Sequence, residues 1–445
     1  MTHHHHHEDE NPSTGNENAY SRRLFMQQGM VFLSMATTVP SFLQKSAHGI
    51  MLPVGSLVSS QAGVPDDRVL VVIQLAGGND GLNTVVPYGS RDYYNKRSQI
   101  AIGAPGSSQN NAGSALTVQG GSNDGIGLHP NLTGLRELVD NGQAAIIQGI
   151  GYPNPNRSHF TSTDIWQTGN HSAQGYGWLG KYFDNTCTGQ PNPKGSIAIG
   201  SKAPLALHGK TQKAVNFETE ELFKWAGKAS DDSLASTYDD INRRETMQGV
   251  TKDSQLDFLV RTSLDAQVSS DRIRKAVQEQ PLVKYPDGQL SQQLQMIAAM
   301  IRADLPTRVY YASLGGFDTH ANQLNSHANL MRQVGDSLNA FQKDISAQGN
   351  GGKVLTMMFS EFGRRVAQNG SAGTDHGTAA PMFLVGDMVK PGLLGTHPSL
   401  SQLDEGDLIY NTDFRQVYAT VLNDWMGADD KAILGKSYTK ANVLK

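Results

Sequence analysis

The feature that most constrains the fold is a series of short apolar runs that stop abruptly at polar or glycine-rich segments. Residues 354–359 form one such run, and residues 381–385 form another after a polar, glycine-containing excursion. Residues 69–75 and 144–150 have the same character. Continuous apolar runs bounded by glycine are typical of strands that are covered on both faces. We therefore predict a buried sheet with helices on both sides.

Apolar residues at helical spacing occupy much of the chain between these runs. Residues 132–139, 290–305, 323–345 and 413–425 each predict an amphipathic helix. Residues 308–314 predict a further strand. Strands that alternate with helices favour an α/β fold in which helices connect parallel strands.

The composition suits a soluble globular protein with a sizeable core. The chain has 445 residues, of which 38% are hydrophobic, and a formal net charge of −4. A nucleic-acid partner is not expected, because such proteins usually carry a basic patch or stripe. Cys187 is the single cysteine, so no disulfide can form within the chain. Its Asn-, Gly- and Pro-containing surroundings predict a loop thiol.

The first 47 residues read as a leader that does not belong to the fold. A polar start with five consecutive histidines precedes Arg22-Arg23 and a short apolar stretch, residues 29–43. Paired arginines before such a stretch are typical of a twin-arginine export signal, and a buried helix after two arginines is the alternative. A stable membrane span is not expected, since a spanning helix needs roughly 20 residues. We expect residues 48–445 to form one domain, which the twin-arginine translocase exports through the leader to the periplasm or the outside of the cell.

A change of composition marks residues 205–289. Charged and amide residues dominate there, and the aromatic and leucine residues recur at helical spacing. We interpret this segment as a helical insertion or cap of the same domain rather than as a separate domain.

Potential metal ligands follow several of the strand-like runs. In open α/β sheets, ligands collect where strands end. Carboxylates and imidazoles together suit zinc or manganese, and carboxylates alone also suit harder ions such as calcium. The candidate residues are Asp80, Ser158 with His159, Asp318 with His320, and Glu361 with Asp375 and His376.

Ser158 is placed to begin a helix after a rigid Asn- and Pro-containing loop. Free backbone N–H groups at a helix start favour an anion near its side chain. A metal-activated hydroxyl there can act as a nucleophile, whereas a plain helix cap is the alternative. Arg157 and Arg364 are candidates for holding an anionic substrate through paired hydrogen bonds, with surface ion pairs as the alternative.

Several motifs together carry a resemblance to a known family. LAGGNDGLNTVVPY, RSHFTSTDIWQTG, GGFDTH, SEFGRR, TDHGTAAPMFLVG and TDFRQVYAT, with the twin-arginine leader, resemble the family catalogued as domain of unknown function 1501. That family is similar to the alkaline phosphatase and sulfatase superfamily. The resemblance implies a three-layer α/β/α sandwich with a mixed, largely parallel central sheet, and a two-metal site beside a Ser, Thr or formylglycine nucleophile.

The resemblance also implies a role for each candidate residue. Ser158 resembles the nucleophile, and Asp375 is an alternative ligand because it forms an adjacent Asp-His pair with His376. The residues that resemble metal ligands are Asp80, Asp318, His320, Glu361 and His376.

The sequence departs from the superfamily in ways that bear on the metal count. Glu361 is followed by Phe362, where an Asp-His pair is usual, and the spacing from Asp318 to His320 is short. One or two ions are therefore expected. The sulfatase motif Cys/Ser-x-Pro-x-Arg does not occur at Cys187, which argues against a formylglycine sulfatase.

The sequence thus predicts an exported metal-dependent hydrolase of anionic phosphate or sulfate esters. The alternative is an exported binding or assembly protein that keeps the fold without catalysing a reaction.

Overall fold

The predicted apolar runs become strands of one central sheet. The computed structural model describes residues 67–107, 113, 115–118, 125–186, 195–200, 202–212, 214–217 and 273–445. The strands are β1 (Val69–Leu75), β2 (Val85–Val86), β3 (Leu116–Thr117), β4 (Gly127–Leu128), β5 (Ala144–Gly151), β6 (Ser196–Ile199), β7 (Val215–Phe217), β8 (Val309–Leu314), β9 (Val354–Phe359), β10 (Ala380–Val385), β11 (Gly392–Leu394), β12 (Leu403–Asp404), β13 (Asp407–Leu408) and β14 (Thr412–Asp413).

Helices connect most of these strands. A 3₁₀ turn covers Leu205–Leu207, and a π-helical turn, Val421–Trp425, extends the last long helical segment. Residues 273–278 are also helical. The α-helices are α1 (Gly81–Thr84), α2 (Arg91–Lys96), α3 (Thr133–Asp140), α4 (His159–Thr168), α5 (Trp178–Thr186), α6 (Gln289–Arg302), α7 (Gln323–Ala347), α8 (Phe414–Thr420) and α9 (Asp430–Leu434).

The central sheet is mixed and largely parallel, as predicted. Its order is β11-β5-β10-β9-β1-β8-β6-β7, and β14 also pairs with β5. β1 lies between β8 and β9 and is parallel to both. Only β10 runs antiparallel to its neighbours, β5 and β9, within this sheet of the described residues. The parallel strands therefore all end at one edge of the sheet, here called the carboxyl edge.

Helices cover both faces of the sheet. On one face, Leu70 and Val72 of β1 lie in a buried cluster with Trp166, Trp178 and Trp425 from the helices. On the other face, α6 packs on β8, and α7 packs against α3 and α6. Each large apolar side chain that is fully buried contributes roughly 1.5–3 kcal/mol. The three-layer α/β/α architecture predicted from the sequence is confirmed.

Parts of the expected organisation fall outside the described residues. These include the leader, Cys187 and most of the expected insertion, residues 205–289. The described part of that insertion differs from the prediction, because Val215–Phe217 forms strand β7 beside β6. Within the described ranges, no helix combines the length and apolar character needed to cross a membrane.

Two glycines allow the loops at the carboxyl edge to approach one another. Gly77 has φ +120°, and a Cβ atom there would lie 2.5 Å from the backbone nitrogen of Asp318. Gly78 has φ +75°, and a Cβ atom there would overlap the ring of Phe362. The loop after β1 can therefore pack directly on the loops that follow β8 and β9.

Replacing Gly78 by alanine is expected to destabilise the fold by about 2–4 kcal/mol, because backbone strain and the overlap with Phe362 add. Gly106→Ala is the matched control, since Gly106 has φ +78° and no atom lies within 4 Å of the position that its Cβ would take. The control should lose only the free energy of unfolding that corresponds to the backbone strain, about 1–2 kcal/mol. Urea unfolding followed by tryptophan fluorescence measures both, and equal losses would contradict the role of the Phe362 contact.

Candidate metal centre

Three imidazoles and one carboxylate meet at the carboxyl edge. The Oδ1 atom of Asp318 lies 3.0 Å from Nε2 of His320, 3.1 Å from Nε2 of His376 and 3.4 Å from Nε2 of His159. The Nε2 atoms of His320 and His376 are 3.0 Å apart. Ligand atoms that share one ion at roughly 2.0–2.2 Å lie about 3.0–3.5 Å from one another. The separations from Asp318 and between His320 and His376 are therefore close to those of atoms that share one ion.

Each of the three imidazoles is anchored through its other ring nitrogen. The partners are carboxylate or carbonyl oxygens, which only accept hydrogen bonds, so we assign the proton of each neutral ring to Nδ1. Each Nε2 atom then presents its lone pair to the centre. The three hydrogen bonds run from His159 Nδ1 to Glu361 Oε1 (2.9 Å), from His320 Nδ1 to Asp375 Oδ1 (3.2 Å) and from His376 Nδ1 to the carbonyl of Arg157 (2.8 Å).

This arrangement fits a divalent cation. The lone pairs of His320 and His376 lie 3.0 Å apart and face a carboxylate oxygen, so they repel one another unless a proton or a metal cation lies between them. Protonating both rings would place two positive N–H groups at the same short distance. The Nε2 atom of His159 is buried without a hydrogen-bond partner. Ligating histidines characteristically donate their second N–H to a carboxylate or carbonyl, and a nitrogen-rich set with one carboxylate suits zinc.

The structure brings together three of the predicted ligands and adds one. His159, Asp318 and His376 offer ligand atoms within 4.8 Å of one another, and His320 contacts Asp318 and His376. His159 is the residue that the assignment by resemblance left out. The available signal was its position directly after Ser158, at the end of a strand-like run.

Glu361 lies behind the centre rather than in it. Its buried Oε1 atom accepts hydrogen bonds from the backbone N–H of Gly77 at 2.8 Å and from His159 at 2.9 Å. Asp375 stands in the same relation to His320. Both carboxylates therefore orient imidazoles in this arrangement instead of facing the centre themselves.

Asp80 is committed to a different partner. Its carboxylate forms a fully buried ion pair with Arg97 at 2.6 Å and accepts a hydrogen bond from Gln323. Burial raises the pKa of Asp80, but the charge of Arg97 outweighs it and holds the pKa below its usual value. The structure thus does not bring Asp80 to the centre, because Arg97 already supplies its counter-charge.

Arg364 occupies a buried position, which differs from the substrate-binding role expected for it. Its Nη2 atom donates to Asp318 Oδ1 at 2.7 Å. Burial raises the pKa of Asp318, but the hydrogen bond and the charge of Arg364, together with the nearby imidazoles of His376 and His320, lower it to about 2. Arg364 therefore keeps Asp318 ionised. Its remaining contacts are the carbonyls of Gly77, Gly78, Phe317 and Thr374.

Arg157 and Ser158 directly precede His159, a residue of the metal centre, in the sequence. Ser158 is exposed at the start of α4, and its hydroxyl makes no capping hydrogen bond. The guanidinium of Arg157 pairs with Asp407, while its carbonyl accepts from His376. The hydroxyl of Ser158 is thus not used by the helix it begins.

Phe362 directly follows Glu361, at the position where the resemblance led us to expect a histidine. Its ring centre lies 4.9 Å from that of His159 and 4.7 Å from that of His376. Phe362 also forms part of the wall of a cavity of about 100 Å³ lined by Tyr152, Trp166 and Tyr410 among others. Phe362 therefore supports the imidazoles by packing and offers no ligand atom.

Fold and site together define an α/β/α protein with a candidate metal centre at the carboxyl edge of its sheet. More particularly, the chain belongs to the family described as protein of unknown function, DUF1501, whose family model matches residues 67–437. This confirms the resemblance drawn from the sequence motifs. No curated protein matches the chain.

Several solved structures are similar to the chain at low sequence identity. Ps i-CgsB, solved with k-i-k-neocarrahexaose, is 10% identical, with 83% of this chain and 72% of that chain covered and a TM-score of 0.38. The lipoteichoic acid synthase LtaP from Listeria monocytogenes is 9% identical, with 87% and 80% covered and a TM-score of 0.30. The PsFucS1 sulfatase from Pseudoalteromonas sp. is 10% identical, with 85% and 74% covered and a TM-score of 0.32. Similarity at this level assigns no activity to the chain.

Glu361→Gln is expected to weaken zinc binding about 10–100-fold, because a neutral amide no longer fixes the ring of His159 or raises its basicity. Zinc affinity is measured by competition with a chromophoric chelator. Asp140→Asn is the control, since Asp140 is partly exposed and forms an ion pair with Arg136, four residues before it. Equal affinities of the wild type and Glu361→Gln would contradict the orienting role.

Proposed function

We propose that the protein is an exported, metal-dependent hydrolase of phosphate or sulfate esters with Ser158 as its nucleophile. The observation that carries this proposal is the convergence of three imidazole Nε2 atoms on the Asp318 carboxylate. When bound there, a divalent ion supplies Lewis-acid stabilisation of an anionic ester. His159, His320, His376 and Asp318 are the residues that would hold it.

Ser158 is suited to nucleophilic attack by its position. It starts a helix of ten residues, its side chain is exposed, and its hydroxyl is not used as a cap. The free N–H groups at the start of α4 favour the anionic group of the substrate. Its neighbour in the chain, His159, belongs to the metal centre.

The proposed reaction proceeds in two steps. The Ser158 oxygen forms a bond to phosphorus or sulfur while the bond to the alcohol oxygen breaks, the hydroxyl proton passes to solvent, and the alkoxide takes up a proton. Water then attacks the phosphoserine or sulfoserine and breaks its bond to the serine oxygen. Inorganic phosphate or sulfate leaves, and the hydroxyl is restored.

Export is the part of this proposal that the leader supports. Arg22-Arg23 and the short apolar stretch that follows resemble a twin-arginine signal, and they lie outside the described residues. Twin-arginine export moves folded proteins, so a metal bound in the cytoplasm would travel with the chain to the periplasm or beyond.

The test combines metal content with turnover. Natively exported protein should contain divalent metal and hydrolyse p-nitrophenyl phosphate or p-nitrophenyl sulfate. Ser158→Ala should lower kcat by about 10³-fold or more, as expected when a nucleophile is removed. Ser172→Ala, an exposed serine in the loop after α4, is the control and should retain full turnover.

The second candidate function is a binding or assembly protein that does not catalyse a reaction. The commitment of Asp80 to Arg97 and the presence of Phe362 beside the imidazoles favour it. Metal-replete protein that is inert on a broad panel of phosphate and sulfate esters would contradict the hydrolase and support this second function.

A further inference from the structure

Two buried arginines lie at the carboxyl edge, where the resemblance implied a second metal ion. Arg97 and Arg364 are among the largest fully buried side chains in the described part of the chain. Arg97 holds Asp80, one of the carboxylates that resembled a metal ligand. We propose that these two guanidinium groups take the place of a second cation, so that the centre binds a single divalent ion. This inference rests on the metal centre of the proposed function.

Arg97 is fixed by hydrogen bonds on every side. Besides Asp80 at 2.6 Å, it donates to the side-chain oxygen of Asn83 at 2.9 Å and to the carbonyls of Val366 and Arg365, each at 2.9 Å. Neither Asp80 nor Arg97 exposes any of its side chain. A metal ion that displaced the guanidinium would leave a buried positive charge without a partner, which is strongly unfavourable.

Arg364 fills an oxygen-lined site of the kind that hard cations use. Carbonyl and carboxylate oxygens are the typical ligands of calcium and magnesium. Here a guanidinium occupies the oxygen cluster, and its Nη2 atom reaches the same Asp318 oxygen that faces the imidazoles. The positive charge beside Asp318 is thus supplied by the chain itself. The oxygens around Arg364 are the carbonyls of Gly77, Gly78, Phe317 and Thr374 and Oδ1 of Asp318.

The charge at the centre balances with one divalent ion. Asp318, Glu361 and Asp375 bring three negative charges, and Arg364 brings one positive charge. Two negative charges remain, and one divalent ion neutralises them. A second divalent ion would leave two positive charges without a counter-charge. Asp80 and Arg97 balance each other and do not change this count.

The ligand atoms also suffice for one ion only. The three imidazole Nε2 atoms and Asp318 Oδ1 offer four ligand atoms, the number that one zinc ion takes in a structural site. Of the remaining predicted ligands, Glu361 accepts from Gly77 and His159 through Oε1, Asp375 accepts from His320 through Oδ1, and Asp80 is paired with Arg97. Among the described residues, each of these carboxylates therefore already has a hydrogen-bond or ion-pair partner within the chain.

Zinc stoichiometry tests this inference on the full chain. Protein stripped with chelator is loaded with excess zinc chloride, desalted, and measured by plasma mass spectrometry against protein concentration. A tract of five histidines such as that of the leader can also bind zinc, so the double variant His159→Ala/His376→Ala is loaded in parallel and its zinc content is subtracted. A difference of one equivalent is expected. Two equivalents overturn the single-ion inference alone, and a difference of zero overturns the metal centre as well as the inference.

Stabilisation of an Arg97 variant by added metal ions tests directly whether the guanidinium takes the place of a cation. Arg97→Met leaves Asp80 buried without a counter-charge, so its thermal midpoint should fall by several degrees. Manganese or magnesium should then raise the midpoint of this variant more than that of the wild type. Arg136→Met, which breaks a partly exposed pair with Asp140, is the control and should show no such rescue. Equal ion-induced shifts in all three proteins would overturn the proposed substitution of a guanidinium for a cation. If Arg97→Met does not fold, the zinc stoichiometry of the wild type decides whether the centre binds one ion or two.

Discussion

The arrangement of the loops at the carboxyl edge depends on the hydrogen bonds of the Arg364 guanidinium. This guanidinium joins the loop after β1, through the carbonyls of Gly77 and Gly78, to the loop after β8, through Phe317 and Asp318. These loops are far apart in the sequence and have no regular structure that would align them. Charge-assisted hydrogen bonds in a buried setting are stronger than neutral ones. One arginine therefore places Asp318 where the three imidazoles can meet it.

The imidazoles are arranged by a second set of constraints that acts on their orientation. An imidazole can rotate about its side-chain bonds and can carry its proton on either nitrogen. Glu361, Asp375 and the carbonyl of Arg157 remove both freedoms by accepting from Nδ1. Phe362 adds packing against two of the rings. Orientation is thus built before any ion binds, which lowers the entropy that binding would otherwise cost.

Much of the fold could be predicted from the sequence because strand burial leaves a local signal. Runs such as residues 69–75 and 354–359 are apolar at nearly every position, and the sheet covers both of their faces. The edge strand Val215–Phe217 was not predicted, since three residues in a polar segment carry no such signal. The general location of the site followed from the fold, because carboxyl ends of parallel strands share one edge.

The roles of the individual carboxylates at the site could not be predicted, because they depend on partners that are distant in the sequence. Asp80 follows a central strand, as a metal ligand would. Only the three-dimensional structure shows that Arg97 neutralises the charge of its carboxylate. Glu361 is likewise a carboxylate at a strand end, yet Gly77 and His159 occupy its accepting oxygen. A carboxylate contributes to metal binding only if its charge is left uncompensated by the chain. Sequence motifs report which residues reach the edge, whereas the buried counter-charges decide which of them remain available for chemistry.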